Sequence, residues 1–447
     1  MLGLKSFGRL ALVATAATAA MTLAACGGGS ADETPTTVDK AAASGDIVVW
    51  VHGGATDAEK AAANTIVDGF NTSQSKIKAS VKFIPDQQKV ITATPAEQLG
   101  DVVEADGEAM SANVYAGKFQ ALDGLISQDV LDNQTSSTTA QNTYAGDGKR
   151  YMLSMFDSGL ALYGNKKLLD AAGVKYPTTW DTAWTVEQFD AALKALATKD
   201  KDGKVLDVKE NYGLSGYSTY AFLPIISSAG HLVMEDGKAD GALNSEPVVA
   251  AFTKVAGWKQ YTDANADDKA FTAGRVGLSW VGHWVYNDYK KALGDDLVVI
   301  PLPNFGTGAK TGQGSLAWGI SKGSKNAAAA AVFLEYAMSD ASVKAMTDAN
   351  SAPPGTKSVT ATSPLYKADG PLALYADGLS RSCGNEMPTT TCVAVPRTIS
   401  AGWPTINAKA GDAMNSIWTG GDPKEALDKA AQAIDQDFTD NDGYAVK

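Results

Sequence analysis

The sequence predicts an α/β protein, and three observations carry that expectation. The chain has 447 residues, which at roughly 150 per domain allows two or three domains. Its residues are 45% hydrophobic and 20% charged, enough apolar content to build cores and too little charge for a disordered chain. Hydrophobic spacing also switches repeatedly between the strand and helix periods, beginning with a β-α-β unit.

The first strand is Ile47, Val48, Val49, Trp50 and Val51, a run with no polar interruption. It leads through Gly53 and Gly54 to Thr56 and Glu59, whose spacing is that of a capping box, so a helix starts there. Ala63, Ile66, Val67 and Phe70 give that helix one apolar face. Ile77, Ala79, Val81 and Phe83 then alternate as a half-buried strand. Further on, residues 101–103 read as a brief strand, and Thr185 with Gln188 caps a helix presenting Phe189, Ala192, Leu193 and Leu196. Residues 275–281 and 297–300 are strand-like, and Ser324 is expected to open an alanine-rich helix. Two helices close the chain, one carrying Ile406, Ala410, Ala413 and Ile417, the other starting at Asp422 and Pro423 with Glu425 three residues after the cap.

The N-terminus reads as an address. Lys5 and Arg9 precede an apolar, small-residue run from Leu10 to Ala25, and Leu23, Ala24, Ala25 and Cys26 follow the pattern of a bacterial lipobox. Residues 1–25 are therefore expected to be a lipoprotein signal peptide, with Cys26 taking the lipid. Residues 26–45, rich in Gly, Ser and Ala, read as a flexible tether with a reach of roughly 25 Å. Export places Cys383 and Cys392 in an oxidising compartment, where a pair enclosing eight residues is expected to form a disulfide. The net charge of −12 makes nucleic acid and anionic membrane poor partners. Three histidines (His52, His231, His283) and three cysteines in no ligand spacing speak against a zinc or iron–sulfur site, and no cofactor is expected.

Catalytic templates fit poorly. Gly216, Tyr217, Ser218, Thr219 and Tyr220 lack the second glycine of a nucleophile elbow. Residues 306–312 resemble a phosphate loop, but a strand rather than a helix follows, so the helix amides that cradle phosphate are missing. Asp106 and Glu108 are two carboxylates on one short loop, not two acids on opposite faces of a sugar. They suit solvated loop acids or hydrogen-bond acceptors for a polyol. Sugar sites combine such acceptors with flat aromatic rings, and Trp50, Tyr220, Trp280, Trp284, Trp318 and Trp403 all lie near strand ends or loop-to-helix junctions.

FTAGRVGLSWVGHWVYNDYKKALGDDLVVIPLPN, then GSLAWGISKGSKNAAAAAVFLEYAMSDASVKAM and SAPPGTKS, resemble the family-1 extracellular solute-binding proteins of bacterial ABC sugar importers, relatives of the maltose-binding protein. VVWVHGGATDAEKAAANTIVDGFN, GDVVEADGEAMSANVYAGKFQALDGLI, KRYMLSMFDSGLALYGNKKLLDAAGVKYPTTW and GWPTINAKAGDAMNSIWTGGDPKEALDKAAQAI fit the same family. The resemblance covers essentially everything after the tether.

It implies a type II-like periplasmic-binding-protein fold: two lobes, a hinge and a central ligand cleft. Lobe 1 would comprise residues 46–156 and 316–375, and lobe 2 residues 157–315 and 376–447. By position, Asp106 and Glu108 fall in the loop that supplies a sugar-binding carboxylate, Asp157 and Ser158 at the first crossing between lobes, and His52 in the polar first-strand loop. Tyr220, Trp284 and Trp403 are similar to stacking residues, and Trp318 joins them as an aromatic candidate. His283 where proline is common, and Ala105 where some oligosaccharide binders carry an aromatic residue, imply a small sugar. The function implied is a monomeric, lipid-anchored receptor outside the cell membrane. It would capture a mono- or oligosaccharide and deliver it to the permease subunits of an ABC importer, without catalysis. The alternatives are the same receptor fold holding a polyol, phosphodiester or peptide, and a secreted glycosidase.

Overall fold

The computed structural model describes residues 39–213, 217–314, 316–384 and 386–445, leaving aside the side chains of 217 and 218. The expected signal peptide, Cys26 and the start of the expected tether lie outside the described residues. The folded body starts earlier than expected. Residues Lys40–Ala42 form a 3-10 turn, Lys40 Nζ pairs with Glu335 Oε1 at 2.6 Å, and the first strand begins at Gly45.

Eleven strands occur among the described residues: β1 Gly45–His52, β2 Ile77–Ile84, β3 Val102–Asp106, β4 Met152–Leu153, β5 Leu160–Asn165, β6 Leu206–Asp207, β7 Leu278–Gly282, β8 Leu297–Ile300, β9 Thr311–Gln313, β10 Leu316–Ile320 and β11 Ala394–Pro396. One sheet has the order β2-β1-β3-β10-β4, a second β6-β7-β5-β8, and β9 pairs with β11 alone. In the first sheet β1 runs parallel to β2 and β3, while β10 is antiparallel to β3 and β4. Ile47, Val49 and Val51 are buried on one face of β1 and Trp50 on the other, as expected of a parallel strand covered on both sides.

Each sheet nucleates its own core. In the first lobe the helix Asp57–Ser73 starts at the Thr56–Glu59 capping box and packs Phe70 edge-on to Phe333, ring centroids 5.1 Å apart. In the second lobe the helix Val186–Ala197 starts at the Thr185–Gln188 box, and Phe189 meets Trp258 at 4.8 Å. The closing helices, Trp403–Trp418 and Pro423–Asp440, add Ile406, Ile417 and Ile434 to this second core.

Several local expectations shift. The strand expected over 275–281 is Leu278–Gly282. The alanine-rich helix is Ala327–Ala337, and Ser324 does not cap it: its hydroxyl bonds Asp101 Oδ1 at 2.6 Å. The end of lobe 1 also moves. Tyr366, Leu372 and Tyr375 pack with Tyr163 and Tyr289 of the second sheet's other face, so the chain has joined lobe 2 before Tyr366 rather than after 375.

The chain leaves the first sheet after β4 for the second at β5, returns by way of β9 to the first at β10, and passes to the second lobe again between Val359 and Tyr366 before β11 pairs with β9. The parallel pair β9–β11, with Val395 opposite Gly312, lies on these crossings. The disulfide Cys383–Cys392 closes the loop that precedes β11.

Candidate binding cleft

The polar first-lobe face of the cleft is built at strand ends. His52 ends β1; its backbone N–H donates to Glu104 Oε2 at 2.9 Å, and its Nδ1 lies 2.8 Å from the same oxygen. Burial pulls the imidazole pKa down, and Glu104, with Glu59 and Asp106, more than reverses it, so the net shift is upward. Asp106 ends β3, and Glu108 sits in the 3-10 turn Gly107–Ala109 that follows. A cavity of about 750 Å³ opens here, lined by His52, Gly53, Gly54, Ile84, Asp86, Gln87, Gln88, Lys89, Asp106 and Leu316. That volume lies within the range of small-molecule sites.

Arg397, just past β11, was not singled out by the sequence, yet it joins the two sides. Its Nη2 pairs with Glu108 Oε2 at 2.7 Å, and its guanidinium lies 4.8 Å from the centroid of the Tyr220 ring. Gly314 makes this approach feasible. Its φ of +135° suits glycine, and a Cβ there would come within 2.9 Å of Arg397 Nη2. Burial raises the Glu108 pKa to about 7 despite Arg397, and raises that of Asp106 as well.

At the first crossing, Asp157 is buried and its Oδ1 accepts from the Ser158 N–H at 2.7 Å. Burial raises its pKa to about 6. Ser158 Oγ accepts from the Tyr220 hydroxyl at 2.9 Å and lies 3.2 Å from His283 Nε2. His283 Nδ1 is 3.3 Å from the Asn350 carbonyl. Burial lowers its pKa to about 4, so at neutral pH the imidazole is uncharged. Nδ1–H then donates to Asn350, and Nε2 accepts from Ser158. This chain ties the helix Asp340–Asn350 to the first crossing and to Tyr220.

The second-lobe face is aromatic. Tyr220 lies in the helix Tyr217–Ser228, and Trp284 follows β7, with ring centroids 6.3 Å apart and planes tilted 34°. Tyr220 is buried, whereas Trp284 is 36% exposed.

The structure thus brings Glu108, Asp157, Ser158, Tyr220 and Trp284 around the waist, with His52 and Asp106 on the adjoining cavity. Trp318 lies away from the waist, and Trp403 is buried at the start of a helix that contacts the turn carrying Glu108. Trp318 is a core residue of the first lobe, stacked on Phe333 with Nε1 donating to Glu104 Oε1 at 3.1 Å. Trp403 is 3% exposed among the second lobe's core residues. Ala105 is also fully buried, packed in a cluster with Trp50 and Ala317, and so carries no information about ligand length. Glu104 and Arg397 were missed because a lone acid inside a strand and a lone arginine in a loop have no periodic signature.

Two sheets joined by crossing segments, with polar and aromatic side chains converging on the waist, define a two-lobed binding protein. Comparison with known proteins names the class. The family model described as bacterial extracellular solute-binding protein matches residues 65–373, and the chain belongs to that family. The diacetylchitobiose binding protein DasA of Streptomyces coelicolor is 27% identical over 342 residues, spanning 72% of this chain and 75% of its own. The maltodextrin-binding protein MdxE of Bacillus subtilis is 28% identical over 293 residues, spanning 60% and 66%. The GacH receptor of Streptomyces glaucescens, solved free and with acarbose, shares the fold with a TM-score of 0.68 at 23% identity over 89% of this chain and 98% of its own. Lmo0181 of Listeria monocytogenes, solved with cycloalternan, gives a TM-score of 0.70 at 20% identity over 88% and 99%.

Proposed function

We propose that this protein is the saccharide-capturing receptor of an ABC importer, binding a mono- or oligosaccharide in the cleft and handing it to the permease subunits without chemical change. The observation that carries the reading is the division of the cleft. Asp106 lines the cavity from the end of β3 and Glu108 follows it in the next turn, while the second lobe contributes Tyr220, which Arg397 links to Glu108, and Trp284 beside it. A sugar needs both: its hydroxyl rim requires acceptors, and its C–H faces require flat apolar surface. The saccharide ligands named for DasA, MdxE and GacH support the same reading. Ligand capture would proceed by hinge bending at the crossings, as the two-lobed fold allows.

The test is a thermal-shift and calorimetry panel of sugars, polyols, phosphodiesters and peptides. A ligand at a hundred times its Kd stabilises by about 2.7 kcal/mol. A saccharide alone should produce such a shift, with no reducing ends released; a response confined to peptides or phosphodiesters would overturn the sugar assignment. The N-terminal motif supports attachment to the outer face of the membrane through Cys26. Cys26→Ala should abolish incorporation of labelled fatty acid; a lipidated, processed alanine variant would contradict this.

A further inference from the structure

The lobes also meet away from the crossings, at a contact the cleft itself does not use. In the first lobe the helix Met110–Tyr115 continues directly from the turn that carries Glu108, and Tyr115 at its end is 36% exposed. In the second lobe the closing helix Pro423–Asp440 is followed by the turn Asp442–Tyr444. The Tyr444 ring meets the Tyr115 ring edge-on, with centroids 5.5 Å apart and planes at 75°, a favoured geometry for two aromatic rings.

The turn is held in a strained shape that aims this ring. Asp442, Gly443 and Tyr444 have φ of +51°, +67° and +57°, three left-handed residues in succession, two of which carry a side chain. Such a backbone persists only where surrounding contacts fix it, and it gathers at clamps and switches. Those contacts are present. The Tyr444 N–H donates to the Asn441 carbonyl at 2.9 Å, its hydroxyl donates to Asp437 Oδ2 at 2.7 Å, and its ring stands edge-on to Phe438 at 5.1 Å. Gly402 lies against both rings, where a Cβ would collide with Phe438 and come within 2.9 Å of Tyr444. It immediately precedes the helix Trp403–Trp418, which contacts both the Glu108 turn and the helix Met110–Tyr115. The second lobe thus grips one short first-lobe segment, with Glu108 near its start and Tyr115 at its end.

We propose that the turn Asp442–Tyr444 is a latch: by seating Tyr444 on Tyr115 it holds the two lobes of the ligand-free protein together, and so raises the affinity of the cleft for all its ligands by one common factor. This goes beyond the saccharide reading and takes from it only hinge bending at the crossings. Lobes already held together leave the ligand less closing to do. Releasing them lowers affinity by the fraction of the binding-competent form that is lost, whichever hydroxyls the ligand presents.

Small-angle scattering of the ligand-free protein, and calorimetry with maltose, maltotriose and diacetylchitobiose, test it on Tyr444→Ala, Tyr115→Ala, Tyr444→Phe and the double alanine variant. Each single alanine variant should have a larger radius of gyration than wild type, and the double variant should be no larger than the singles. Tyr444→Phe keeps the ring and should keep the wild-type value. Each alanine should weaken those of the three sugars that bind by about two- to tenfold, the worth of one edge-on ring pair, and leave their order unchanged. Neither tyrosine is fully buried, so the variants are compatible with folding, which circular dichroism verifies. Scattering unchanged in Tyr444→Ala would overturn the latch whether or not any sugar binds, and so would altered scattering with unaltered sugar affinity. Failure of all three sugars to bind would count against the saccharide reading, and the latch would then stand or fall on the scattering alone.

Discussion

The two faces of the cleft are made of different chemistry by different parts of the fold. The first lobe offers His52, Asp106 and Glu108 at or just past the carboxyl ends of parallel strands, the place where open α/β sheets bind ligands. The second offers Tyr220 and Trp284 from a helix and from the turn after an antiparallel strand. Rings bind by burying area, which tolerates changes in the pattern of hydroxyls. Carboxylates bind by pairing, and a mismatched hydroxyl leaves a buried group without a partner. The first lobe is thus suited to discrimination and the second to retention, and Arg397 touches both.

The largest effect should come from Arg397, because losing it leaves a carboxylate uncompensated. Breaking a buried pair costs about 3 to 5 kcal/mol when the remaining charge persists. Glu108, however, has a pKa of about 7 even with its partner present and can take up a proton instead. A carboxyl group whose folded pKa is raised contributes stability at low pH and loses it as pH rises through the folded value. Arg397→Met should therefore destabilise by about 3 kcal/mol at pH 8 and by clearly less at pH 6. Denaturant melts at the two pH values check this; an equal loss at both would mean that Glu108 does not govern the pair.

Next come the two faces set against each other. Trp284→Ala should weaken saccharide binding by about 1.5 to 3 kcal/mol, the worth of burying a large apolar side chain, and by similar amounts for related sugars. Glu108→Gln should cost about 1.5 to 3 kcal/mol, as for a hydrogen bond to a charged group, and should also narrow the gap between epimers at the contacted hydroxyl. Calorimetry with an epimer pair, supported by circular dichroism, separates the two. Equal selectivity in both variants would break the division of labour.

What could be read from the sequence divides along physical lines. Thr56 with Glu59, Thr185 with Gln188, and Asp422 with Glu425 act within one turn, so their helix starts were legible and the structure has them. The crossing at Asp157 and Ser158, and the aromatic positions Tyr220 and Trp284, were legible only through the family resemblance. What the sequence left open falls where distant packing decides. Trp318 and Trp403 occupy strand and helix-start positions that suit either a core or a cleft, and only their neighbours, Phe333 for one and the second-lobe core for the other, choose between them. Ser324 has a good capping side chain, but Asp101 on the neighbouring segment takes its hydroxyl. Arg397 reaches Glu108 from 289 positions away in the chain because β11 pairs with β9 and Gly314 leaves room for the guanidinium.

The smallest effect concerns how the link between the faces responds to acid. His283 is buried between Ser158 and Asn350 with its pKa lowered to about 4, so the unfolded chain takes up a proton at a higher pH than the folded one does. Its contribution to stability is therefore complete above about pH 6.5 and is lost as pH falls toward 4. Asp157 and Glu108 act in the opposite sense, since their raised pKa values add stability as pH falls over much of the same range. The wild-type profile is thus a partial cancellation, and a variant is needed to see either component. His283→Gln removes the titrating group while keeping an amide within reach of Ser158. The stability difference between wild type and His283→Gln should shrink, in favour of the variant, by about 1 kcal/mol for each pH unit below 6.5 over the first unit or so. Thermal or urea melts of the ligand-free proteins at pH 6.5 and 5.5 measure it. A difference that stays constant would show that His283 is solvated and charged like a surface histidine, and that the chain from Asn350 through Ser158 to Tyr220 does not hold the two faces together.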